Sequence, residues 1–389
     1  MYQADEKRLK DCMERAQRGD ELTIGFLGGS ITQGSLASEY GKTYAYRVFS
    51  WWKETFPKAE FHYVNGGIGG TDSYYGLSRI VTDLLMYQPD FVVVDFSVND
   101  EANVFFQETY EGVVRRLLSW PSKPAVVLLN NVFYDTGKNA QKYHNAVGEW
   151  YGLPYVSIKD TVYRRIEAGE FTRKELTEDG LHPNDKGHEL VAAELIRLLE
   201  EVKTKTEAEK KVEPRTKEKN EKMPERKEKE EKEKKKEGEE KDEAALRAPM
   251  TENAYENAKR LTIREISPKL FGFRADTEEK TGHLDAFKNG WIGKKPGDRI
   301  VFELEASCIA VQYRKSVKKP ALKAKLILDG AEGNPLLLDG NFTEDWGDCQ
   351  YLQPVLHHGE KARHCVEIEI LPEEADEATA FYLMAIVLV

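Results

Sequence analysis

The chain has 389 residues, of which 40% are hydrophobic and 32% charged, with a formal net charge of −11 at pH 7. This length exceeds what one hydrophobic core usually organises, so two domains are expected. The negative charge argues against nucleic acid or an anionic membrane surface as the main partner. A neutral or cationic small substrate is favoured.

The spacing of the cysteines and the apolar content of the two chain ends indicate in which cellular compartment the protein is expected. The first twenty residues are charged throughout, without the apolar segment that directs secretion. The longest apolar run, AFYLMAIVLV, is too short to span a bilayer. The cysteines have no C-x-x-C spacing and predict free thiols, although Cys349 and Cys365 could pair in an exported protein. We therefore expect a cytoplasmic protein with no membrane partner, and a homo-oligomer stays open.

Residues 1–200 alternate short apolar runs with stretches whose apolar residues recur at helical spacing. Continuously apolar strands separated by helices indicate an α/β domain with a parallel sheet covered on both faces. In such sheets, ligands bind at the carboxyl ends of the strands. The predicted strands are 23–28, 61–65, 90–97, 125–133 and 153–158, and the clearest predicted helices are 43–56 and 103–120.

The remainder of the chain divides into two parts. Residues 201–249 are dominated by Lys and Glu, cannot form a core, and predict a charged linker that is disordered or a frayed helix. From residue 250, after a short predicted helix over 253–261, apolar residues recur with period two. Strands predicted at 299–306, 308–315, 322–330, 364–371 and 381–389 indicate a β-sandwich of jelly-roll type over 250–389.

Four short blocks of sequence lie at or after the ends of the predicted strands in the first domain. Ser30 follows the first strand in GGSIT, and Gly70 follows the second in VNGGIGGT. Asn99 follows the third strand in FSVND, and Asp179 and His182 lie in EDGLHPND. Because the strands are parallel, we expect these residues to meet at one edge of the sheet.

These blocks resemble those of the SGNH hydrolases, also called GDSL-type esterases, over residues 20–200. The resemblance implies a flavodoxin-like catalytic domain in which Ser30 is the nucleophile, His182 the general base and Asp179 the partner of the histidine. It also implies an oxyanion hole formed by the backbone N–H groups of Ser30 and Gly70 and the side-chain amide of Asn99. The residue types suit this chemistry, because a serine needs a base and the oxyanion needs aligned donors.

Two positions depart from the family pattern. Gly29 stands where the name-giving motif has aspartate, and Ser97 replaces the glycine usual two residues before Asn99. Both variants resemble carbohydrate esterases more than lipases. With the jelly roll, the chain is similar to carbohydrate esterase family seventeen, which removes O-acetyl groups from mannan oligosaccharides. An acetylated oligosaccharide is thus the expected substrate, with no cofactor and no metal.

Two other functions stay open on the residues alone. A short-chain lipid esterase or thioesterase would use the same site, although residues 1–200 contain no insertion that suggests a trench for a long acyl chain. A catalytically inactive, carbohydrate-binding protein is the second alternative. Trp346, in a predicted loop at 341–353, is a candidate sugar-stacking surface and equally a candidate core residue of the sandwich.

Several other residues carry structural predictions. His188 falls on a predicted helix and is expected to be a structural or surface residue. At least one of Trp51 and Trp52 is expected in the core. His357 and His358 are adjacent but have no matching carboxylate pair in the sequence, so no metal site is predicted there.

Overall fold

The structure is a computed structural model that describes residues 2–212, 246–282, 284–372 and 377–389. Its N-terminal half, residues 2–212, contains a parallel sheet in the order β2-β1-β3-β4-β5. This order confirms the predicted α/β class and is the flavodoxin-like arrangement. The strands are β1 (Glu21–Gly28), β2 (Glu60–Gly67), β3 (Phe91–Asp95), β4 (Ala125–Asn130) and β5 (Tyr155–Ser157).

Helices cover both faces of this sheet. One apolar core lies under α1, α3 and α9, and the other lies under α4, α5 and α6. Trp51 and Trp52 are both buried in the first core, as predicted for at least one of them. The helices are α1 (Lys7–Arg18), α2 (Ser30–Gln33), α3 (Tyr44–Thr55), α4 (Ser73–Asp83), α5 (Val104–Leu118), α6 (Gln141–Tyr151), α7 (Arg164–Glu167), α8 (Arg173–Leu176) and α9 (Asp185–Val212).

Helix α9 continues past residue 200, where the sequence predicts the end of the catalytic domain. Val202 and Thr206 are buried, so the first part of the predicted linker packs as helix. Residues 213–245 of that predicted linker lie outside the described residues. The boundaries at 200 and 249 stay predictions.

The C-terminal half, residues 246–389, contains two antiparallel sheets that enclose a third core. Their orders are β13-β12-β15-β10-β7 and β14-β11-β16-β9-β8, with β6 paired to β16. This arrangement confirms the predicted β-sandwich. The strands are β6 (Lys259–Leu261), β7 (Lys269–Phe271), β8 (Arg274–Ala275), β9 (Trp291–Gly293), β10 (Arg299–Ala306), β11 (Ile309–Lys315), β12 (Lys323–Leu328), β13 (Leu336–Asp339), β14 (Cys349–Leu356), β15 (Ala362–Ile370) and β16 (Phe381–Leu388).

The helix predicted over 253–261 is wrong. Asn253 has a left-handed φ of 55°, a turn follows it, and residues 259–261 pair with β16. Tyr255 is fully buried and packs on Tyr74 of α4 at a ring-centroid distance of 5.0 Å. Tertiary packing therefore overrides the local helical pattern.

The two halves share a core and several ion pairs. Tyr255, Cys308, Ala310 and Leu352 of the C-terminal half belong to the same buried cluster as α4 and α5. Arg115 of α5 pairs with Glu256 at 2.8 Å. The sandwich is thus packed against the parallel domain rather than held only through a linker.

His358 joins the halves through two carboxylates. It lies 2.8 Å from Glu108 of α5 and 2.6 Å from Glu252, and chiefly the hydrogen bond to Glu252 raises its pKa. The expectation that no carboxylate pair accompanies the two histidines is wrong, because the partner from α5 is 250 residues away in the chain. Among the described residues, no group of three His, Cys, Asp or Glu side chains is arranged to hold a metal ion.

The cysteines and helices bear on two further predictions. Cys12, Cys308, Cys349 and Cys365 are free thiols, as predicted. Across the described ranges, none of the helices is both long and apolar enough to cross a bilayer.

Candidate active site

Ser30 lies at the carboxyl end of β1, as the strand pattern predicts. It is the first residue of α2 and only 8% exposed. The short α2 turn ends at Gly34, which has a left-handed backbone and donates its N–H to the carbonyls of Ser30 and Ile31. The strand-to-helix turn therefore fixes the backbone on both sides of the Ser30 hydroxyl.

His182 and Asp179 complete a chain of hydrogen bonds with Ser30. The Ser30 hydroxyl donates to His182 Nε2 at 2.7 Å, and His182 Nδ1–H donates to Asp179 Oδ2 at 2.6 Å. The other oxygen of Asp179 accepts the backbone N–H groups of Leu181 and His182 at 2.9 and 2.8 Å. One tight turn thus holds both the base and the carboxylate that orients it.

The protonation state of Asp179 follows from these contacts. Partial burial acts to raise its pKa, but the hydrogen bonds from His182 and from two backbone N–H groups outweigh burial and lower that pKa below its ordinary value. Asp179 is therefore a carboxylate at neutral pH. A carboxylate at Nδ1 favours the tautomer that leaves Nε2 free to accept a proton from Ser30.

The Asn99 carboxamide lies directly against Gly29, next to the Ser30 backbone. A Cβ added at Gly29 would fall 2.2 Å from Asn99 Oδ1. Ser97, two residues before, is fully buried, and its hydroxyl donates to the Asn131 carbonyl at 2.9 Å. Both departures from the family motif therefore help to place Asn99: Gly29 gives it space, and Ser97 anchors its turn to the segment after β4.

The Gly70 loop lies on the other side of Ser30. A Cβ added at Gly69 would be 3.6 Å from Ser30 Cβ, and the Gly69 N–H donates to the Gln33 side chain at 2.6 Å. Gly70 has a left-handed φ of 68°, a conformation that favours glycine. The structure thus brings the Gly70 loop, Asn99, Asp179 and His182 around Ser30.

Trp346 reaches this site from the C-terminal half. Its indole is 53% exposed, and a Cβ added at Gly70 would lie 3.0 Å from the indole Cη2 atom. Phe342 packs edge-on against the indole at 5.0 Å, and the indole N–H donates to Glu344. Of the two interpretations, the sandwich-core one is wrong, and an exposed aromatic surface stands beside the Gly70 loop.

His188 is buried on α9 and does not reach Ser30 through any described hydrogen bond. Its Nδ1 accepts the Tyr44 N–H, and its Nε2–H donates to the Ser35 carbonyl, both at 3.2 Å. This placement confirms that His188 is a structural residue.

Asp100, which follows Asn99 directly, is a residue that the sequence alone does not single out. Asp100 is buried, accepts the Ser73 backbone N–H at 2.8 Å and lies 2.9 Å from His144 Nε2. The His144 ring is stacked on Tyr110 at a centroid distance of 3.6 Å. Only the adjacency to Asn99 could have indicated Asp100, since its partners come from α4 and α6.

Comparison with known proteins places the chain in a family. The GDSL-like Lipase/Acylhydrolase family matches residues 26–190. Two crystal structures of a two-domain esterase, CEX, active on acetylated mannans, are similar to this chain at 42% identity and a TM-score of 0.87, covering 99% of this chain and 95% and 96% of theirs. One of them was co-crystallised with mannopentaose. The chain belongs to the GDSL-like lipase/acylhydrolase family. A search of curated proteins gave no match.

Membership makes this GDSL-like protein a carboxylic ester hydrolase, as predicted. The similarity to CEX extends over both halves, so both proteins combine an α/β hydrolase domain with a sandwich. The geometry around Ser30 suits acyl transfer, because a hydroxyl, a base within hydrogen-bond reach and an orienting carboxylate are aligned.

Proposed function

We propose that this GDSL-like esterase removes O-acetyl groups from mannan-type oligosaccharides through an acyl-enzyme intermediate. The observation that carries the proposal is the continuous hydrogen-bond chain from Ser30 through His182 to Asp179. The substrate class is supported by the 42% identity, over nearly the whole chain, to an esterase active on acetylated mannans.

In the first step, Ser30 Oγ attacks the acetyl carbonyl carbon while its proton moves to His182 Nε2. The imidazolium is stabilised by Asp179, which lies 2.6 Å from Nδ1. Collapse of the tetrahedral intermediate breaks the bond to the sugar oxygen, which takes the proton from His182. The products are acetyl-Ser30 and a sugar hydroxyl.

In the second step, His182 takes a proton from water as the water oxygen attacks the acetyl carbonyl of the acyl-enzyme. The bond to Ser30 Oγ then breaks, and His182 returns the proton to Ser30. Acetate leaves. The cycle needs no cofactor, since both proton transfers use the same histidine.

The developing oxyanion would be stabilised by the backbone N–H groups of Ser30 and Gly70 and by the Asn99 side-chain amide. The support is positional: the Asn99 carboxamide lies against Gly29, and the Gly70 loop lies against Ser30. Loss of one such donor typically lowers the rate 10²- to 10³-fold.

Trp346 is the proposed surface for a sugar ring, because its exposed indole stands beside Gly70. A sugar face packs on an aromatic ring mainly through its apolar C–H groups. On this proposal, the sandwich over 250–389 acts as a carbohydrate-binding domain that frames the site. The free thiols support the proposed cytoplasmic location.

The decisive experiment follows acetate loss from acetylated mannan oligosaccharides by mass spectrometry. Ser30→Ala should abolish release, whereas the control Ser119→Ala, at the exposed end of α5, should keep it. Retained activity in folded Ser30→Ala would overturn the mechanism. Preference for long acyl chains in a 4-nitrophenyl ester series would favour the lipid alternative. Glycan binding without labelling of Ser30 by a fluorophosphonate would favour the inactive alternative.

A further inference from the structure

A cavity of about 400 Å³ lies between α4 and the C-terminal half, separate from the Ser30 hydroxyl. Five cationic side chains and two carboxylates, those of Asp83 and Glu265, line it. The cavity therefore has an excess of three positive charges within a chain whose net charge is −11. The cationic residues are Arg79, Arg260, Arg264, Lys280 and Lys288.

Among the described residues, three of these cations, Arg260, Arg264 and Lys280, are left without a carboxylate. Lys288 pairs with Glu278, and Arg79 pairs with Asp83 at 2.9 Å. Arg260 donates only to the neutral Gln312 amide oxygen, at 2.6 Å. Within the described part of the chain, neither Arg260 nor Lys280 has a carboxylate within salt-bridge distance.

Lys280 and Arg260 also repel each other. Partial desolvation and then the nearby Arg260 guanidinium lower the pKa of Lys280. Such a pair of like charges is unfavourable in an empty cavity and becomes favourable once an anion lies between them.

Arg79 adds a third cationic group on the α4 side of the cavity. It is 3% exposed, and its guanidinium donates to the carbonyls of Gly66 and Gly28 at 2.5 and 3.1 Å. Its buried Nε–H has no partner among the described residues. A buried donor without a partner is costly. Because this N–H is itself shielded from solvent, Arg79 acts on an anion in the cavity through its charge.

We propose that this cavity binds a small dianion of the phosphate type, held by Arg79 on α4 and by Arg260 and Lys280 of the C-terminal half. Guanidinium groups bind phosphate through paired, charge-assisted hydrogen bonds, and lysine adds a point charge. The cavity is large enough for a phosphate group with a further substituent.

The bound dianion has a structural consequence, because it connects the two halves next to the site. Tyr75 of α4 donates to Gln350, and both residues line the cavity. Gln350 is four residues from Trp346, and Arg79 holds the carbonyls at the ends of β1 and β2. Binding should therefore stabilise the contact between the halves on which the position of Trp346 depends.

The test is calorimetric titration of the full chain with inorganic phosphate, at constant ionic strength maintained with chloride. We expect one saturable site per chain below about 10 mM phosphate and a rise in Tm on binding. Lys280→Gln and Arg260→Gln should each weaken binding about tenfold, as for loss of one charge-assisted contact. The matched control Lys361→Gln, exposed on the sandwich, should bind phosphate like the unmodified chain.

Lys280 is exposed, so Lys280→Gln should fold, which its circular dichroism spectrum checks. If Arg260→Gln fails to fold, the phosphate affinity of Lys280→Gln alone decides the test. Absence of saturable phosphate binding up to about 10 mM would overturn the proposal. Unchanged affinity in folded Lys280→Gln would do so as well. Both measurements are made without ester substrate and are independent of the proposed acetylesterase activity.

Discussion

Asp100 accepts the backbone N–H of Ser73 at 2.8 Å and so ties the turn that carries Asn99 to the segment that follows Gly70. The two loops come from different strands, β3 and β2, and each contributes one proposed oxyanion donor. Asp100 is held in turn by His144, which is stacked on Tyr110. Asp100 is thus a positioning residue for the spacing between two donors.

Replacing Asp100 should affect turnover more than binding. For Asp100→Ala we expect kcat on 4-nitrophenyl acetate to fall about 10- to 100-fold with little change in KM, because small misplacements of aligned groups are costly. Asp100→Asn retains an acceptor for the Ser73 N–H and should recover part of the loss. The concentration of active sites is counted by fluorophosphonate labelling, and kcat calculated per labelled site is corrected for any unfolded protein. An unchanged kcat per labelled serine in Asp100→Ala would show that Asp100 only stabilises the fold.

Gly29→Ala should act through Asn99. The new Cβ would overlap the Asn99 carboxamide at 2.2 Å, so the amide must move, and kcat should fall about 10²- to 10³-fold, as for loss of an oxyanion donor. Gly41→Ala is the matched control, since its Cβ meets only Tyr46 at 3.9 Å. In an Asn99→Ala background, Gly29→Ala should cost little more. Additive losses in the double variant would contradict this coupling.

His188 should make stability depend on pH. Burial, chiefly, lowers its pKa from 6.5 to about 4. The hydrogen bond to the Ser35 carbonyl and the Asp185 charge oppose burial, whereas Arg47 and His182 lower the pKa further. Between these values the unfolded chain binds a proton that the folded chain does not. The stability that depends on neutral His188 is therefore fully present above pH 6.5. As the pH falls towards 4, the free energy of unfolding decreases by about 3 kcal/mol on account of this residue.

Urea unfolding at several pH values measures this effect. The free energy of unfolding of His188→Gln should fall less between pH 6.5 and 4 than that of the unmodified chain. The difference between the two proteins isolates His188 from other groups, such as Asp95, whose pKa burial raises to about 7. Parallel profiles for the two proteins would contradict the prediction.

Trp346→Ala should separate large substrates from small ones. We expect KM for an acetylated mannan oligosaccharide to rise about three- to tenfold, the loss of one stacking contact, with a smaller effect on 4-nitrophenyl acetate. Trp346→Phe keeps an aromatic face and should retain much of the affinity. Equal losses on both substrates in Trp346→Ala would instead indicate that the indole supports the Gly70 loop.

The sequence predicted what local pattern and parallel-sheet topology determine. Ser30, Gly70 and Asn99 each follow a strand of the parallel sheet, so their meeting at one sheet edge could be expected before any coordinates. The turn from Asp179 to His182 is short enough to be recognised as a unit. The alternating apolar residues of β10 likewise predicted its bounds, 299–306, correctly.

Contacts between distant segments could not be predicted in this way. The Glu108–His358 and Asp100–His144 pairs join residues 250 and 44 positions apart, and neither member carries a local signal. Gly29 was visible as a departure from the motif, but its reason is the Asn99 carboxamide that occupies the place of a Cβ. The segment around Tyr255 has a helical pattern in sequence but forms a turn, because burial against Tyr74, rather than local propensity, decides its conformation.

The core shared by α4, α5 and the sandwich has a consequence for how this enzyme can change. A chain cut after α9 would expose the apolar side chains of α4 and α5 that now pack on Tyr255, Cys308 and Leu352. The sandwich therefore cannot be exchanged as an independent domain, because its removal alters the solubility and folding cooperativity of the domain that carries Ser30. Any variation in the sandwich near Trp346 is constrained by the same contacts that keep the hydrolase folded.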